Sequence, residues 1–433
     1  MTLWLYRLLF IPALVVLAPR YLLRMRRRGG YRDGFRQRFG DQPVVPRKPG
    51  VPRVWLQAVS VGEMLAIGPI LEALRRDGVE VYLTTTTSTG YRLASDRYRG
   101  LTVAIAYFPI DWWPFVTRAW RRVAPDVVLL TEGERWPELL RQATRRGVPV
   151  ICVNARLSDR SFARLNTWRP AARLMLGGIT RLLPASAEDE ARFATLGVPR
   201  ERMQTTGNIK LDVQIPVLGA GERAQLRREL GLPDDVPVLL GSSTWPGEEA
   251  ALVAALLRVR AAGQRCSLLL VPRHAERRLE IERQLAAAQL RFHFRSRGRT
   301  PAEVDVAVGD TTGELRKLTQ LADLVFVGKS LPPHTEGQTP VEAAALGKPI
   351  LFGPGMSNFR VIARDLVGRG AARSVADAVE LAGVSEKLLR DEGARRALAA
   401  AAAQWRGENA GAVERTLAVI RREIAARGKS GRS

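Results

Sequence analysis

The chain holds little cysteine and little histidine, two and three residues respectively in 433. Cys152 lies in VPVICVNA and Cys266 just before SLLLVP, so no disulfide framework exists, and the flanking apolar runs make both thiols small core residues in strands. No Cys or His spacing fits a zinc site, and a reducing, cytosolic compartment is expected for the globular part. Long apolar runs are missing as well. The uncharged stretch Leu8–Ala18 of MTLWLYRLLFIPALVVLA falls short of the ~20 residues that span a bilayer. Neither GxxxxGK[ST] nor a GxGxxG after the first strand is present, which weighs against ATP- and NAD-type readings. Acidic residues are outnumbered, 43 against 67 basic, for a net charge of +24. Such a balance suits an anionic partner, whether nucleic acid, phospholipid headgroups or a phosphorylated substrate, although scattered arginines on solvated faces would give much of the same excess.

What is present fits a folded enzyme of two domains: 46% apolar residues, 25% charged, and too much length for one core. The N-terminal apolar segment precedes its basic cluster (Arg20, Arg24, Arg26, Arg27, Arg28), the reverse of a secretory signal. A short anchor with Trp4, Tyr6 and Tyr21 at the interface fits better, the cluster meeting an anionic cytoplasmic leaflet; the alternative is a helix buried against the domain. From Val54 short β-branched runs alternate with amphipathic stretches, which predicts a parallel sheet covered on both faces. The rhythm breaks at 213–235, read as a linker with Gly219, Gly221, Gly231 and Pro233, and then restarts. The expected division is 1–50 as anchor and basic segment, 51–212 and 236–410 as two α/β domains, and 411–433 as a C-terminal helix and tail, its GKSGRS end frayed. Tandem open sheets place a ligand crevice between them, with sites at the carboxyl ends of strands.

The informative residues follow the strand runs. SVGE puts Gly62 at a turn and Glu63 at a helix start, where an acid serves either chemistry or the helix dipole. TEGERWP carries Glu132 and Glu134, two carboxylates suited to a polyhydroxylated acceptor or to a solvated loop. RLSDRS offers Arg156, Ser158 and Arg160, donors for a phosphate or carboxylate, or a surface loop. Ser242, Ser243 and Thr244 precede a helix near Glu248, where hydroxyl residues cradle phosphate or serve as ordinary N-caps. Arg273 and His274 follow SLLLVP; the arginine suits a phosphate, the lone histidine is more often structural. Asp310, Gly313 and Glu314 follow in GDTTGEL, and Glu342 opens a helix where it would take the hydroxyls of a ribose, with Asn358 as cap of the helix after Gly353-Pro354-Gly355.

Taken in order, VWLQAVSVGE, LLTEGERWPEL, VNARLSDRS, TTGNIKLD, GSSTWPGEE, VPRHAERR, GDTTGEL, FVGKS and GPGMSNF resemble the Kdo (3-deoxy-D-manno-octulosonic acid) transferases of Gram-negative bacteria, over about residues 54–360. Each motif is weak alone; nine at sensible spacings are specific. The resemblance implies a GT-B fold, with two Rossmann-like domains facing a central cleft, and an N-terminal membrane-anchor helix. It implies CMP-Kdo as donor, lipid IVA as acceptor, inversion without a metal or other cofactor, and a place at the cytoplasmic face of the inner membrane in lipopolysaccharide synthesis. By position Glu63 would be the general base, with Glu132 beside it. Pro272, Arg273, Gly313, Glu314, Leu315, Thr339, Pro340, Val341 and Glu342 would hold CMP, with Ser242, Ser243 and Asn358 near the donor. The sequence departs from the family's FVGGS and its Gly-Gly-His-Asn-Pro-Leu-Glu-Pro pattern. Lys329 stands for a glycine, Gln338 for the histidine, Thr339 for the asparagine and Ala343 for the proline, while Glu342 survives and His334 is the one nearby histidine. Two other readings remain. One is another GT-B sugar-nucleotide transferase or epimerase, separable by a donor screen. The other is a non-catalytic basic protein of the membrane surface or of nucleic acid, which would show steep salt dependence without sugar transfer. The sequence lacks the aromatic-basic interleaving that nucleic acid favours, so anionic lipid is the expected partner.

Overall fold

The structure, a computed structural model, describes residues 2–27, 34–213 and 215–430. Arg28 and the last three residues of the tail lie outside the described residues. The chain divides into two units, Met1–Asp212 with Gly411–Ser433, and Val213–Ala410.

The first unit is built on six parallel strands: β1 (Arg53–Gln57), β2 (Glu80–Thr85), β3 (Ala104–Tyr107), β4 (Val127–Thr131), β5 (Val150–Ala155) and β6 (Arg181–Pro184). Their order is β3-β2-β1-β4-β5-β6. Successive side chains point to opposite faces, so Val54, Leu56 and Leu129 join one buried cluster while Trp55, Val128 and Leu130 join another. With apolar layers on both sides the strands read as near-continuous apolar runs. The first cluster also takes in Leu417 and Ile420 of helix Ala412–Ser430. Asp212 receives the Gly411 and Val413 N–H groups at 3.1 and 2.7 Å and so caps that helix. Helix Ala412–Ser430 thus packs into the first sheet's core, and it runs through Gly428 to Ser430 where fraying was expected.

The second unit has β7 (Val238–Thr244), β8 (Ser267–Pro272), β9 (Phe292–Phe294), β10 (Val306–Val308), β11 (Leu324–Val327), β12 (Ile350–Phe352) and β13 (Ala372–Ser374). The order is β13-β12-β11-β7-β8-β10-β9, again parallel. The 213–235 stretch contains helix Ala220–Leu230, with Leu226 and Leu230 buried and Gly231 ending it at φ 70°. Its glycines mark helix ends in the second unit, where the sequence had suggested a linker.

Helix Thr2–Arg27 is held to the first unit near its start. The Tyr6 hydroxyl donates to Asp111 Oδ2 at 2.9 Å, and Arg7 donates twice, at 2.9 Å each, to the fully buried Glu138. Trp4, Leu8, Val15, Val16 and Leu23 stay exposed. Among the described residues no helix is long and apolar enough to cross a membrane.

Candidate active site

In each sheet the strand order reverses beside its first strand, at β1/β4 and at β7/β11. Chains leaving two such neighbouring strands diverge and open a crevice at their carboxyl ends. The residues marked from sequence lie at or just beyond the carboxyl ends of strands.

In the first unit Ser60 caps helix Val61–Ala66, and Glu63 is its third residue. Ser60 Oγ accepts the Glu63 N–H at 3.2 Å and donates to Glu63 Oε1 at 2.8 Å, a capping pair that fixes the carboxylate. Glu63 Oε2 accepts from Val59 N–H at 3.1 Å and from the Thr131 hydroxyl, at the end of β4, at 2.5 Å. A carboxylate offers about four acceptor positions; three are taken, and the free one lies on Oε1. Glu63 is 8% exposed.

Glu132, the next residue after β4, takes a left-handed backbone at φ 50°. Its Oε1 accepts from Asn154 Nδ2 at 3.1 Å and pairs with Lys210. Asn154 is itself left-handed at φ 52° and accepts the Ile209 N–H, tying the end of β5 to the 205–212 loop. Thr131, Asn154 and Lys210 were not singled out from sequence. All three lie within or beside quoted motifs, yet only folding brings them to the acids. Arg156 is half-buried and Arg160 exposed, both without a side-chain partner among the described residues, while Ser158 caps helix Asp159–Thr167.

Glu134 completes the acidic group. Burial, and then the charge of Glu63, pushes its carboxyl up to about 7. Its ordinary value is 4.5, so between these limits the folded chain keeps a proton that the unfolded chain has released, and stability falls as pH rises from about 4.5 to about 7. Glu134→Gln stays neutral at every pH. It should therefore be more stable than the parent at pH 8, by roughly 2 kcal/mol, and equal to it near pH 4. Thermal denaturation at the two pH values checks this; a parent and variant that melt together at pH 8 would refute a buried, shifted carboxyl.

In the second unit the structure corrects two local readings. Ser242, Ser243 and Thr244 belong to β7, with Ser243 in a bulge at φ 55°, and the helix beginning at Glu248 is capped by Gly247. Asn358 is exposed in a short 3-10 turn, and helix Arg360–Gly368 starts without a side-chain cap. At the first, Trp245, Pro246 and Gly247 separate the hydroxyls from the helix; at the second, the 3-10 turn Ser357–Phe359 leads straight into the helix and Asn358 lies inside that turn. The other residues that the resemblance assigns to CMP lie as follows. Pro272 ends β8, the Arg273 N–H donates to Thr244 O at 3.1 Å, and the Arg273 side chain is exposed without a partner among the described residues. Gly313 turns at φ 87°, and Glu314 accepts from Thr311 and, at 3.4 Å, from Arg295. Burial opposes the ionised form of Glu314, but these two hydrogen bonds outweigh it and hold the carboxyl below its ordinary value. Leu315 opens the next short helix, and its neighbour Arg316 donates to Glu342 Oε1 at 2.8 Å, joining the Gly313–Leu315 segment to Thr339, Pro340, Val341 and Glu342. The Thr339 hydroxyl accepts the Val341 N–H at 3.3 Å. A cavity of about 570 Å³, lined by His334, Pro354, Ser357 and Arg360 among others, includes none of the residues assigned to CMP.

Two Rossmann-like units in tandem, each a parallel sheet whose strand order reverses, form the GT-B class of fold. The fold recurs at low identity in UDP-GlcNAc 2-epimerase from Neisseria meningitidis bound to UDP-GlcNAc, at TM-score 0.54 and 14% identity over 86% of this chain and 100% of that one. Residues 33–213 match the family model for the 3-deoxy-D-manno-octulosonic-acid transferase (kdotransferase) N-terminal region. The chain is 36% identical to the 3-deoxy-D-manno-octulosonic acid transferase of Bordetella pertussis over 91% of this chain and 93% of that one. It is 32% identical to the Haemophilus influenzae transferase over 96% and 94%. The chain belongs to the 3-deoxy-D-manno-octulosonic acid transferase family.

Proposed function

We propose that the protein moves Kdo from CMP-Kdo to lipid IVA with inversion, without a metal ion or other cofactor, at the cytoplasmic face of the inner membrane. The observation that carries this reading is the Glu63 carboxylate, held by Ser60, Val59 and Thr131 with one acceptor position left on Oε1. In the proposed step that position takes the proton of the acceptor hydroxyl, a contribution worth roughly 10²–10⁴-fold. The acceptor oxygen bonds to the anomeric carbon as the bond from that carbon to the phosphate oxygen breaks, and CMP leaves with the electron pair. Arg273 and nearby backbone N–H groups offset the charge that develops on the phosphate. Glu132, fixed by Asn154 and Lys210, and Glu134, whose carboxyl burial pushes up to about 7, orient acceptor hydroxyls. Arg156 or Arg160 serves the carboxylate of the donor sugar.

Membrane attachment is part of the same reading. The exposed Trp4, Leu8, Val15, Val16 and Leu23, with Trp113 and Trp168 also exposed on the first unit, suit an interface, and the net charge of +24 suits anionic lipid. The test is incubation of the purified chain with CMP-Kdo and lipid IVA, followed by mass spectrometry of the lipid. A mass gain of one or more Kdo units is expected; an unchanged lipid together with transfer from UDP- or GDP-sugars would overturn the assignment.

A further inference from the structure

Lys329 stands where the family pattern has glycine, and it keeps a glycine-like backbone, φ 57°. A residue with a Cβ adopts this conformation only when its surroundings impose it. Here they do. The Glu248 carboxylate, 1% exposed, accepts the N–H groups of Lys329, Ser330 and Leu331 at 2.7, 2.8 and 3.1 Å. Gly328 lies so close to β7 that a Cβ there would meet Ser243 O at 2.5 Å. The turn therefore stays tight after β11, with a long cationic side chain at its tip.

That side chain is aimed rather than loose. Its ammonium lies 4.2 Å from the centre of the Trp245 ring and 3.3 Å from Glu336 Oε1, and the side chain is 20% exposed against 44% for Glu336. Trp245 follows β7 and Lys329 follows β11, the two neighbouring strands at which the second sheet reverses its order. Three donor-side segments meet at this point. The Arg273 N–H bonds to Thr244 O, placing the Pro272–His274 turn beside Trp245, and the His274 ring stands edge-on to the indole at 5.1 Å between centres. The Gln338 N–H bonds to Gly328 O and the Gly337 N–H to Lys329 O, which brings the start of the Thr339–Glu342 segment to the same turn. The indole Nε1 of Trp245 is buried without a hydrogen-bond partner, so a polar donor points into this corner unused.

We propose that Lys329 is a phosphate-binding residue of the donor pocket, with Trp245 as its platform, and that its ammonium passes from Glu336 to the phosphate of the cytidylate. This rests on the reading that the second unit holds CMP-Kdo. An ammonium has three donors, and the cation–π contact uses none of them, since it is made by the charge and not by a directed hydrogen bond. One donor serves Glu336, an exposed pairing of small worth, so exchange for a phosphate is favourable.

The test is calorimetric titration of the full chain with CMP and with cytidine. Lys329→Gly suits the left-handed backbone and leaves the turn intact. It should weaken CMP binding about tenfold or more while leaving cytidine affinity unchanged. Lys329→Arg should recover part of the CMP affinity, and Glu336→Gln should raise it about twofold or more by removing the competing carboxylate. Lys329→Gly binding CMP as tightly as the parent overturns this proposal alone. So does an equal loss of CMP and cytidine, which marks a structural role, or a loss with Glu336→Gln as large as that with Lys329→Gly. A parent chain that binds no CMP overturns the donor reading, and this proposal with it.

Discussion

Glu63→Gln should abolish measurable transfer, lowering kcat by roughly 10²–10⁴-fold or more, with CMP affinity unchanged. The hydrogen bonds around Glu63 say why the variant folds. Oε2 accepts from Val59 N–H and Thr131 Oγ, so the amide oxygen takes that place. The amide nitrogen then falls at the Oε1 position and donates to Ser60 Oγ, which is also an acceptor. The cap survives, and the free acceptor position becomes an N–H. The variant keeps the site's shape and loses only its ability to take a proton. Single-turnover assays with CMP-Kdo, beside CMP titration, measure both quantities. Turnover at the parent rate would remove Glu63 from the reaction, and a parallel loss of CMP binding would point to a folding defect.

The second large effect is on stability and lies at the other end of the same sheet. Arg53 opens β1 and Glu80 opens β2, paired in register. Arg53 is fully buried; its Nε and Nη2 donate to Glu80 Oε2 at 2.9 and 2.7 Å, and it also reaches the carbonyls of Val45, Pro46 and Val123. Glu80 is 6% exposed. Arg53→Met keeps the apolar stem and leaves Glu80 as an uncompensated buried charge, at a cost of about 3–5 kcal/mol. The urea midpoint, followed through the buried Trp55 two residues further on, should fall accordingly. Adding Glu80→Leu should recover much of the loss, since replacing both partners of a buried pair is often neutral. A loss below about 1 kcal/mol would mean that Glu80 finds water when the arginine is gone. The folded variant should retain its kcat, because Arg53 lies at the amino end of the sheet and Glu63 beyond its carboxyl end. The two substitutions thus separate chemistry from folding within one domain.

Glu63 also marks what the sequence carried. The alternation of apolar runs with amphipathic stretches was enough to expect two parallel sheets. The SVGE run after the first strand placed Glu63 at a helix start, because a strand-to-helix turn is a local signal. The order of nine short motifs identified the family. Sequence did not reveal that Thr131 at the end of β4 grips Glu63 together with its cap Ser60, or that Asn154 and Lys210 hold Glu132. It did not show that Glu134 keeps a proton near neutral pH, since desolvation depends on what surrounds a group and not on its neighbours in the chain.

Where local signals misled, the competing force was tertiary. Ser242–Thr244 looked like helix caps, but β7 absorbed them because its strand hydrogen bonds continue through Ser242 and Thr244 to β8. The glycines of 213–235 looked like a linker, but buried Leu226 and Leu230 fold them around a helix of the second unit. The final helix looked like an appendage, but Leu417 and Ile420 had an apolar surface to cover in the first sheet. By itself the sequence determined which segments are strands and helices and which residues could do chemistry, because apolar period, caps and turns act over a few residues. The tertiary structure alone decided which acids share a hydrogen-bond network, which carboxyl is pushed up by burial and where Lys329 points. Those outcomes depend on close contacts between strands far apart in the chain, and on the low polarity that packing creates around them.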